Sequence, residues 1–265
     1  MPICNINGAT ISYSDQGQGL PLVLLHGFPL DSRMWEGQVA DLSSRYRVIA
    51  PDLRGFGKSA PGSAFTMQSL ADDVRALLVE LNALPCALAG LSMGGYVALN
   101  YVHRYARDLR GLILIDTRAE GDTTQGKEGR QKMIDLVRAK GSKAVADQME
   151  AKMLSPDTLA KRPQQARALR RMMESCSPQT IEHALAAMRD RPDMTGELPS
   201  IAAPTLIIVG DADSITPPGV AQEMQKRIPR SQLVTIQGAG HMSPLEQPAQ
   251  VNRAVRNFLQ GLDGG

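Results

Sequence analysis

The sequence predicts an α/β fold, in which a doubly wound, mostly parallel sheet of eight strands carries an inserted helical cap. Short apolar runs alternate with stretches of helical periodicity up to about residue 118 and again after residue 198. Between these positions the strand-like runs stop and only helical patterns remain. We therefore predict a core formed by residues 1–118 and 199–265, with a cap of residues 119–198 inserted between strands 6 and 7.

Eight segments carry the strand pattern. Two lie on either side of Asn7-Gly8, a dipeptide that tolerates positive φ and favours a hairpin, so they should form an antiparallel edge. The other six are continuous apolar runs, as expected for parallel strands that are covered on both faces. These runs are Leu22 to Leu25, Tyr46 to Ala50, Cys86 to Ala89, Leu112 to Ile115, Thr205 to Val209 and Leu233 to Ile236.

Helical spacing is clearest at two places in the predicted core. Apolar residues between Leu70 and Leu81 form one stripe on a helix that begins near Thr66, and those from Val251 to Leu259 repeat the pattern. In the cap, helices should be separated by glycine and proline residues. These breakers are Gly141, Pro156, Pro163, Pro178 and Pro192. Seven of the 13 methionines also fall in the cap, where core packing is a more common role than lining a pocket.

Composition excludes several classes of partner. The 29 basic and 27 acidic residues nearly cancel, so neither nucleic acid nor an anionic membrane surface is expected to bind. Cys4, Cys86 and Cys176 fit neither a metal-site spacing nor a disulfide framework, which indicates reduced thiols packed as small hydrophobic groups. The first 13 residues lack a signal-peptide pattern, and no apolar run approaches the ~18 residues of a membrane span. We expect a cytoplasmic protein with a small-molecule substrate, and homo-oligomer formation is left open.

The segment GLSMG at residues 90–94 matches the pattern G-x-S-x-G. It follows a predicted strand and precedes a helix-compatible stretch from Met93 to Tyr105, which is the context of a nucleophilic serine on a sharp strand-to-helix turn. Small residues two before and two after the serine let the strand and the helix approach each other, and Gly90 and Gly94 meet that need. Ser92 is therefore the candidate nucleophile.

A serine nucleophile needs a histidine base, and the chain has four histidines. His103 and His183 fall inside helical patterns. His26 lies in the turn after the first long strand, where it is expected to hold the turn by hydrogen bonds rather than titrate. His241 stands in the glycine-containing loop GAGHM after the last strand, from which it could reach the serine, and it is the predicted base.

Three aspartates at strand ends could orient the base, namely Asp116, Asp211 and Asp213. All three lie between the serine and the histidine along the chain, the order used on this type of sheet, so the local sequence leaves them as alternatives. Turn formation is a competing role for Asp211 and Asp213. For the oxyanion, we assign the backbone N–H groups of Met93, just after the serine, and of Phe28, in the turn after the first long strand.

Five segments make the chain resemble the α/β-hydrolases, in particular the group that contains 3-oxoadipate enol-lactonases, small bacterial carboxylesterases and cofactor-free haloperoxidase-type perhydrolases. The segments are HGFPLDSRMWEGQ at 26–38, VIAPDLRGFGKS at 48–59, AGLSMGGYVAL at 89–99, PTLIIVGDADSITPP at 204–218 and GAGHMSPLEQP at 238–248. The resemblance covers nearly the whole chain. It places the acid three residues after the glycine that ends strand 7, which selects Asp213. Relatives that act on haloalkanes or epoxides carry an aspartate nucleophile, so Ser92 argues against both activities.

Nucleotide binding and non-catalytic ligand binding are two alternative functions. GFGKS at 55–59 resembles the end of a phosphate-binding loop, but that motif requires glycine at position 52, and Asp52 would repel a phosphate. A non-catalytic ligand-binding protein on this fold is possible in principle, and the complete set of catalytic residues argues against it.

The sequence thus predicts a serine esterase for small carboxylic esters that needs no metal or organic cofactor. Enol-lactone hydrolysis and perhydrolase activity use the same Ser92 ester intermediate and remain alternatives. A substrate with several carboxylates would call for cations, but the cap holds 14 Lys or Arg against 12 Asp or Glu, too small an excess to decide. Arg118 could face the pocket, although a solvated position at the strand end is the favoured interpretation.

Overall fold

The computed structural model describes residues 1–263 and contains one sheet of eight strands. Every predicted strand is present. The bounds are β1 Ile3–Ile6, β2 Ala9–Gln16, β3 Pro21–Leu25, β4 Arg47–Pro51, β5 Cys86–Leu91, β6 Leu109–Ile115, β7 Thr205–Gly210 and β8 Ser231–Ile236.

The strands follow the order β1-β2-β4-β3-β5-β6-β7-β8 across the sheet. The pairs β1–β2 and β2–β4 are antiparallel, and all later pairs are parallel. The hairpin between β1 and β2 turns at Asn7 and Gly8, with φ of 46° and 71°. The prediction of a mostly parallel sheet with an antiparallel edge is confirmed.

Ten α-helices lie between or after the strands within residues 1–263, and the last two follow β8. They are α1 Glu36–Leu42, α2 Met67–Glu80, α3 Met93–Tyr105, α4 Thr124–Met153, α5 Pro156–Lys161, α6 Pro163–Ser175, α7 Pro178–Arg189, α8 Pro218–Arg227, α9 Ser243–Glu246 and α10 Pro248–Asp263. The predicted start of α2 is correct, because the Thr66 hydroxyl accepts a hydrogen bond from the amide of Ser69 and the Ser69 hydroxyl accepts one from the amide of Thr66.

Both faces of the sheet are covered, and β5 shows why its sequence is a continuous apolar run. Cys86 and Leu88 pack into the core on one face, with α2 and α3. Ala87, Ala89 and Leu91 pack into the core on the other face, with α1 and α10. Since successive side chains of a strand point to opposite faces, burial on both sides leaves no polar position in this strand.

Helices α4 to α7 lie between β6 and β7, in the segment predicted as a cap. Proline is the first residue of α5, α6 and α7, where its missing N–H costs nothing, and Gly141 interrupts α4 with φ of 73°. The division of the chain at residues 119 and 198 into core and cap stays a prediction. Five of the seven methionines in this segment are buried in the core, namely Met153, Met172, Met173, Met188 and Met194.

The three cysteines are free, with Cys86 and Cys176 buried and Cys4 only half-buried on the edge strand. None of the helices described between residues 1 and 263 has the length and apolar character needed to span a membrane.

Candidate active site

Ser92 lies on the sharp turn between β5 and α3, in the left-handed region of backbone space with φ of 52° and ψ of −111°. A non-glycine residue in this region is strained, and the surrounding packing holds it there. A Cβ on Gly90 would overlap the carbonyl of Gly94, and a Cβ on Gly94 would overlap the carbonyl of Leu25. The two glycines therefore allow the close approach that projects the Ser92 side chain beyond the end of the strand.

His241 reaches Ser92 from the loop after β8. Its Nε2 is 2.9 Å from Oγ of Ser92, and its Nδ1 is 2.8 Å from Oδ2 of Asp213. Both partners of this pair are buried, with His241 2% and Asp213 3% exposed. The structure thus joins the three predicted residues in one hydrogen-bonded chain.

Asp213 is held as a carboxylate by a turn of its own segment. Its Oδ1 accepts hydrogen bonds from the amides of Ile215 at 2.8 Å and Thr216 at 3.0 Å, and its Oδ2 accepts one from the Thr216 hydroxyl at 2.6 Å. Burial alone would raise the pKa of Asp213, but the hydrogen bonds from His241 and Thr216 outweigh it and hold the pKa below its ordinary value. Thr216 was not among the residues predicted for the site, although a threonine three residues after an aspartate is a common turn partner.

The other two candidate acids have different partners. Asp211 accepts hydrogen bonds from the amides of Gly238 at 2.9 Å and Ala239 at 3.3 Å, so it shapes the loop that carries the histidine. Asp116 is 1% exposed and accepts hydrogen bonds from the amide of Gly210 at 2.9 Å and from the hydroxyl of Ser243 at 2.6 Å. Neither carboxylate is hydrogen-bonded to a histidine among the described residues.

Asp116 nevertheless lies in the electrostatic field of the site. Burial and the nearby charge of Asp213 raise the pKa of Asp116 to about 7. The strand-end position of Asp116 in the sequence does not predict that its carboxyl is fully buried beside a second carboxylate.

The turn after β3 is anchored by His26, as expected. The amide of Leu53 donates to Nε2 of His26 at 3.0 Å, so Nδ1 carries the proton and donates to the carbonyl of Gly27 at 3.0 Å. Burial lowers the pKa of His26, which keeps the ring neutral. A Cβ on Gly27 would lie 3.5 Å from Cβ of Ser92, so the turn packs directly against the candidate nucleophile.

The amides of Phe28 and Met93 belong to two elements next to Ser92, the turn after β3, which packs against Ser92 at Gly27, and the first residue of α3. Among residues 1–263, neither amide donates a hydrogen bond to a protein acceptor. Unused N–H groups beside a helix N-terminus are suited to bind a developing negative charge.

A cavity of about 600 Å³ lies between the turn at Phe28 and the helices of the cap segment. Met133 and Met149, the two methionines of the cap segment that are only partly buried, line this cavity. Arg118 also lines it and is half-buried, in contrast to the solvated position at the strand end that we expected. The full lining is Phe28, Tyr96, Arg118, Asp122, Gly126, Gly129, Arg130, Lys132, Met133, Gln148, Met149, Lys152, Leu185 and Ile215.

The comparison with known proteins agrees with this geometry. A family profile described as the alpha/beta hydrolase fold matches residues 21–248. The chain belongs to this family. The α/β-hydrolase fold predicted from the five sequence segments is therefore confirmed.

Three similar proteins illustrate the range of the family. A thermophilic esterase from Thermogutta terrifontis, in a malate-bound structure, has a TM-score of 0.94 at 41% identity, over 96% of this chain and 94% of that one. The 3-oxoadipate enol-lactonase 1 of Acinetobacter baylyi is 31% identical over 98% of this chain and 97% of its own length. The non-heme chloroperoxidase CPO-A1 of Kitasatospora aureofaciens is 28% identical over 98% of this chain and 99% of its own length. The predicted resemblance to these three groups is confirmed.

The segment at 55–59, which resembles the end of a phosphate-binding loop, donates a backbone hydrogen bond to the carboxylate of Asp52 in this structure. Asp52 is 2% exposed and accepts hydrogen bonds of 2.8 Å from the amides of Ser32 and Lys58. The carboxylate therefore occupies the amides that a phosphate would need. In the part of the chain described, no group of three or more His, Cys, Asp or Glu side chains is arranged to hold a metal ion.

Proposed function

We propose that this α/β-hydrolase is a serine esterase that cleaves small carboxylic esters through an acyl-enzyme on Ser92. The observation that carries the proposal is the continuous chain of hydrogen bonds from Asp213 through His241 to Ser92, at 2.8 and 2.9 Å. A nucleophile, a base within hydrogen-bond reach and an acid that orients the base are the parts that acyl transfer requires.

The direction of proton transfer follows from the state of Asp213. Because its pKa is held low, Asp213 is ionised at neutral pH and accepts the hydrogen bond from Nδ1 of His241. Nε2 is then the unprotonated nitrogen, and it can take the proton of the Ser92 hydroxyl as Oγ attacks the ester carbonyl. The imidazolium that forms is stabilised by Asp213 and returns the proton to the leaving alcohol.

The same groups complete the cycle. The amides of Phe28 and Met93 would stabilise the oxyanion of each tetrahedral intermediate, and one such donor is typically worth about 3 to 4 kcal/mol. Water, deprotonated by Nε2 of His241, then attacks the acyl-enzyme and releases the acid and free Ser92. Among the comparisons, the esterase of Thermogutta terrifontis supports this activity for the chain.

Lactone hydrolysis is the second candidate function, favoured by the similarity to an enol-lactonase over 98% of the chain. An enol-lactone would acylate Ser92 in the same way, but the leaving enol would stay attached to the acyl group. Perhydrolase activity, in which hydrogen peroxide replaces water in the second step, is a third use of the same intermediate. A panel of esters and lactones, assayed with and without peroxide, separates the three by their kcat/KM values.

The test of the shared chemistry is the Ser92→Ala variant. We expect it to lose hydrolysis of short-chain p-nitrophenyl esters by at least about 10³-fold, as loss of a serine nucleophile does in other hydrolases. Ser63→Ala is the matched control, since Ser63 is an exposed serine outside the site. Full activity in Ser92→Ala would contradict the proposed mechanism.

A further inference from the structure

The cavity between the turn at Phe28 and the helices of the cap segment has an excess of positive charge that the composition of the chain does not show. Its lining includes four cationic side chains and one carboxylate. The cations are Arg118, Arg130, Lys132 and Lys152, and the carboxylate is Asp122. The cap segment as a whole is close to neutral, so the excess arises because more of its basic than of its acidic side chains line the cavity.

The one lining carboxylate is already neutralised. Oδ2 of Asp122 is 3.0 Å from Nε of Arg130, and Oδ1 is 2.8 Å from Nη1 of Arg191, which is buried and stacks 4.1 Å from the ring centre of Tyr96. Burial raises the pKa of Asp122, but the two guanidinium groups outweigh it and keep the pKa low. Asp122 therefore has no charge left over to balance the remaining cations.

The other three cations have no acidic partner. No side-chain carboxylate among residues 1–262 lies within 4.0 Å of the charged nitrogens of Arg118, Lys132 or Lys152. Lys132 and Lys152 line the cavity and are exposed, whereas Arg118 is half-buried. A cation that is partly removed from water without a counter-ion is unfavourable unless an anion binds to it.

Arg118 is also the cation nearest to the reactive groups along the chain. One of its Nη2 hydrogens is donated to the carbonyl of Ile215, two residues after Asp213. A guanidinium has five N–H donors in a planar fork, so this contact fixes its orientation and leaves other donors free. Arg118 and Ile215 both line the cavity, together with Phe28 of the candidate oxyanion site.

We propose that the cavity binds a carboxylate group of the substrate, with Arg118 as the specificity-determining residue and Lys152 as a second, more solvated contact. The substrate class is then an ester or lactone that carries a free carboxylate in addition to the bond that is cleaved. Guanidinium and carboxylate groups match in a two-point, charge-assisted pair, whereas a neutral substrate would leave Arg118 unpaired. This inference rests on the proposed function, because it assumes that the cleaved bond lies at Ser92.

Kinetics with two matched esters test the proposal. Methyl hydrogen adipate and methyl hexanoate have the same carbon chain and differ by the terminal carboxylate, and released acid is measured by pH-stat. We expect the wild type to prefer the adipate ester, and Arg118→Ala to lower the ratio of the two kcat/KM values by about tenfold or more. Lys152→Ala, at an exposed position, should lower it by a smaller factor, and Arg253→Ala, an exposed cation of α10, should not change it.

A binding measurement separates this proposal from the proposed function. Titration calorimetry with adipate needs no catalysis, and we expect Arg118→Ala to weaken adipate binding by about tenfold while Arg253→Ala leaves it unchanged. Equal adipate affinity in wild type and Arg118→Ala, or an unchanged ratio of kcat/KM, would overturn the carboxylate site. Absence of hydrolysis of both esters by the wild type would instead contradict the proposed function, and adipate binding that depends on Arg118 would still support the site.

Discussion

Oε1 of Glu246 accepts a hydrogen bond of 2.8 Å from the amide of Gly240, the residue directly before His241. Its Oε2 accepts a second bond of 2.8 Å from the amide of Ser155, in the segment between α4 and α5. Glu246 is fully buried, so one carboxylate joins the histidine loop to the cap segment. Because glutamate is almost never fully buried unless it is paired, no local pattern in the sequence marks Glu246 for this position.

We predict that Glu246→Gln weakens both the fold and the reaction. The amide keeps the size of the side chain, but its NH₂ group would face a backbone N–H, which leaves a buried donor unsatisfied and costs about 1 to 3 kcal/mol of unfolding free energy. The displaced loop would move His241, so kcat should fall while KM changes little. Chemical denaturation and steady-state kinetics check both effects.

Glu223→Gln is the matched control for this change. Glu223 is exposed on α8 and forms an ion pair with Lys226, so its loss should alter the unfolding free energy by less than about 1 kcal/mol and leave kcat unchanged. If Glu246→Gln lowered stability but retained full kcat in the folded protein, Glu246 would have no role in positioning His241.

The choice among the three candidate acids gives a second prediction. Asp213→Asn should lower kcat by about 10³- to 10⁴-fold, because an amide favours the wrong tautomer of His241 and cannot stabilise the imidazolium. Asp211→Asn should act only through the loop at Gly238 and reduce kcat by a much smaller factor. Steady-state kinetics with a p-nitrophenyl ester measures both. Comparable losses in the two variants would contradict the assignment of Asp213.

Asp116 gives a prediction about stability and pH. Its pKa is raised to about 7 in the folded protein, against an ordinary value of 3.8. Between these values the folded protein holds a proton that the unfolded chain has released, so the unfolding free energy falls as the pH rises. From pH 5 to 8 this contribution should decrease by on the order of 2 kcal/mol.

The comparison variant for this effect is Asp116→Asn, which cannot ionise. Urea unfolding at several pH values should show a flatter profile for Asp116→Asn than for the wild type. Asp213 does not interfere, because its lowered pKa makes it titrate below this window. Parallel profiles for the two proteins would mean that Asp116 is ionised throughout.

Much of the fold was predictable because its signals are local. The apolar run Cys86 to Ala89 predicts a buried strand, because both faces of β5 are covered. The glycines around Ser92 are predictable because the strand and the helix approach each other closely at this turn. The ends of strands were less accurate. β6 begins at Leu109 rather than Leu112, because Arg110 and Gly111 interrupt the apolar run although Leu109 and Gly111 still pair with β5.

The residues proposed to carry out the reaction were predictable from the sequence, but the residues that hold them in position were less so. Ser92 and His241 stand in distinctive local sequences, whereas Asp213 needed the family resemblance to be separated from Asp116 and Asp211. Glu246 acts in part through a hydrogen bond to the distant Ser155, which only folding brings close, whereas Thr216 lies three residues after Asp213 and was detectable from that local spacing. Arg118 lies in a cation-rich cavity because of how the helices between β6 and β7 pack. Counting the charged residues along the sequence does not predict this packing.

The central claim is that Ser92 is the nucleophile and that His241 activates it. The most direct measurement is incubation with a fluorophosphonate, followed by peptide mass spectrometry. We predict one adduct on Ser92 in the wild type and in Ser63→Ala, and a strongly reduced rate of labelling in His241→Ala. No adduct, or an adduct on a different serine, would contradict the account.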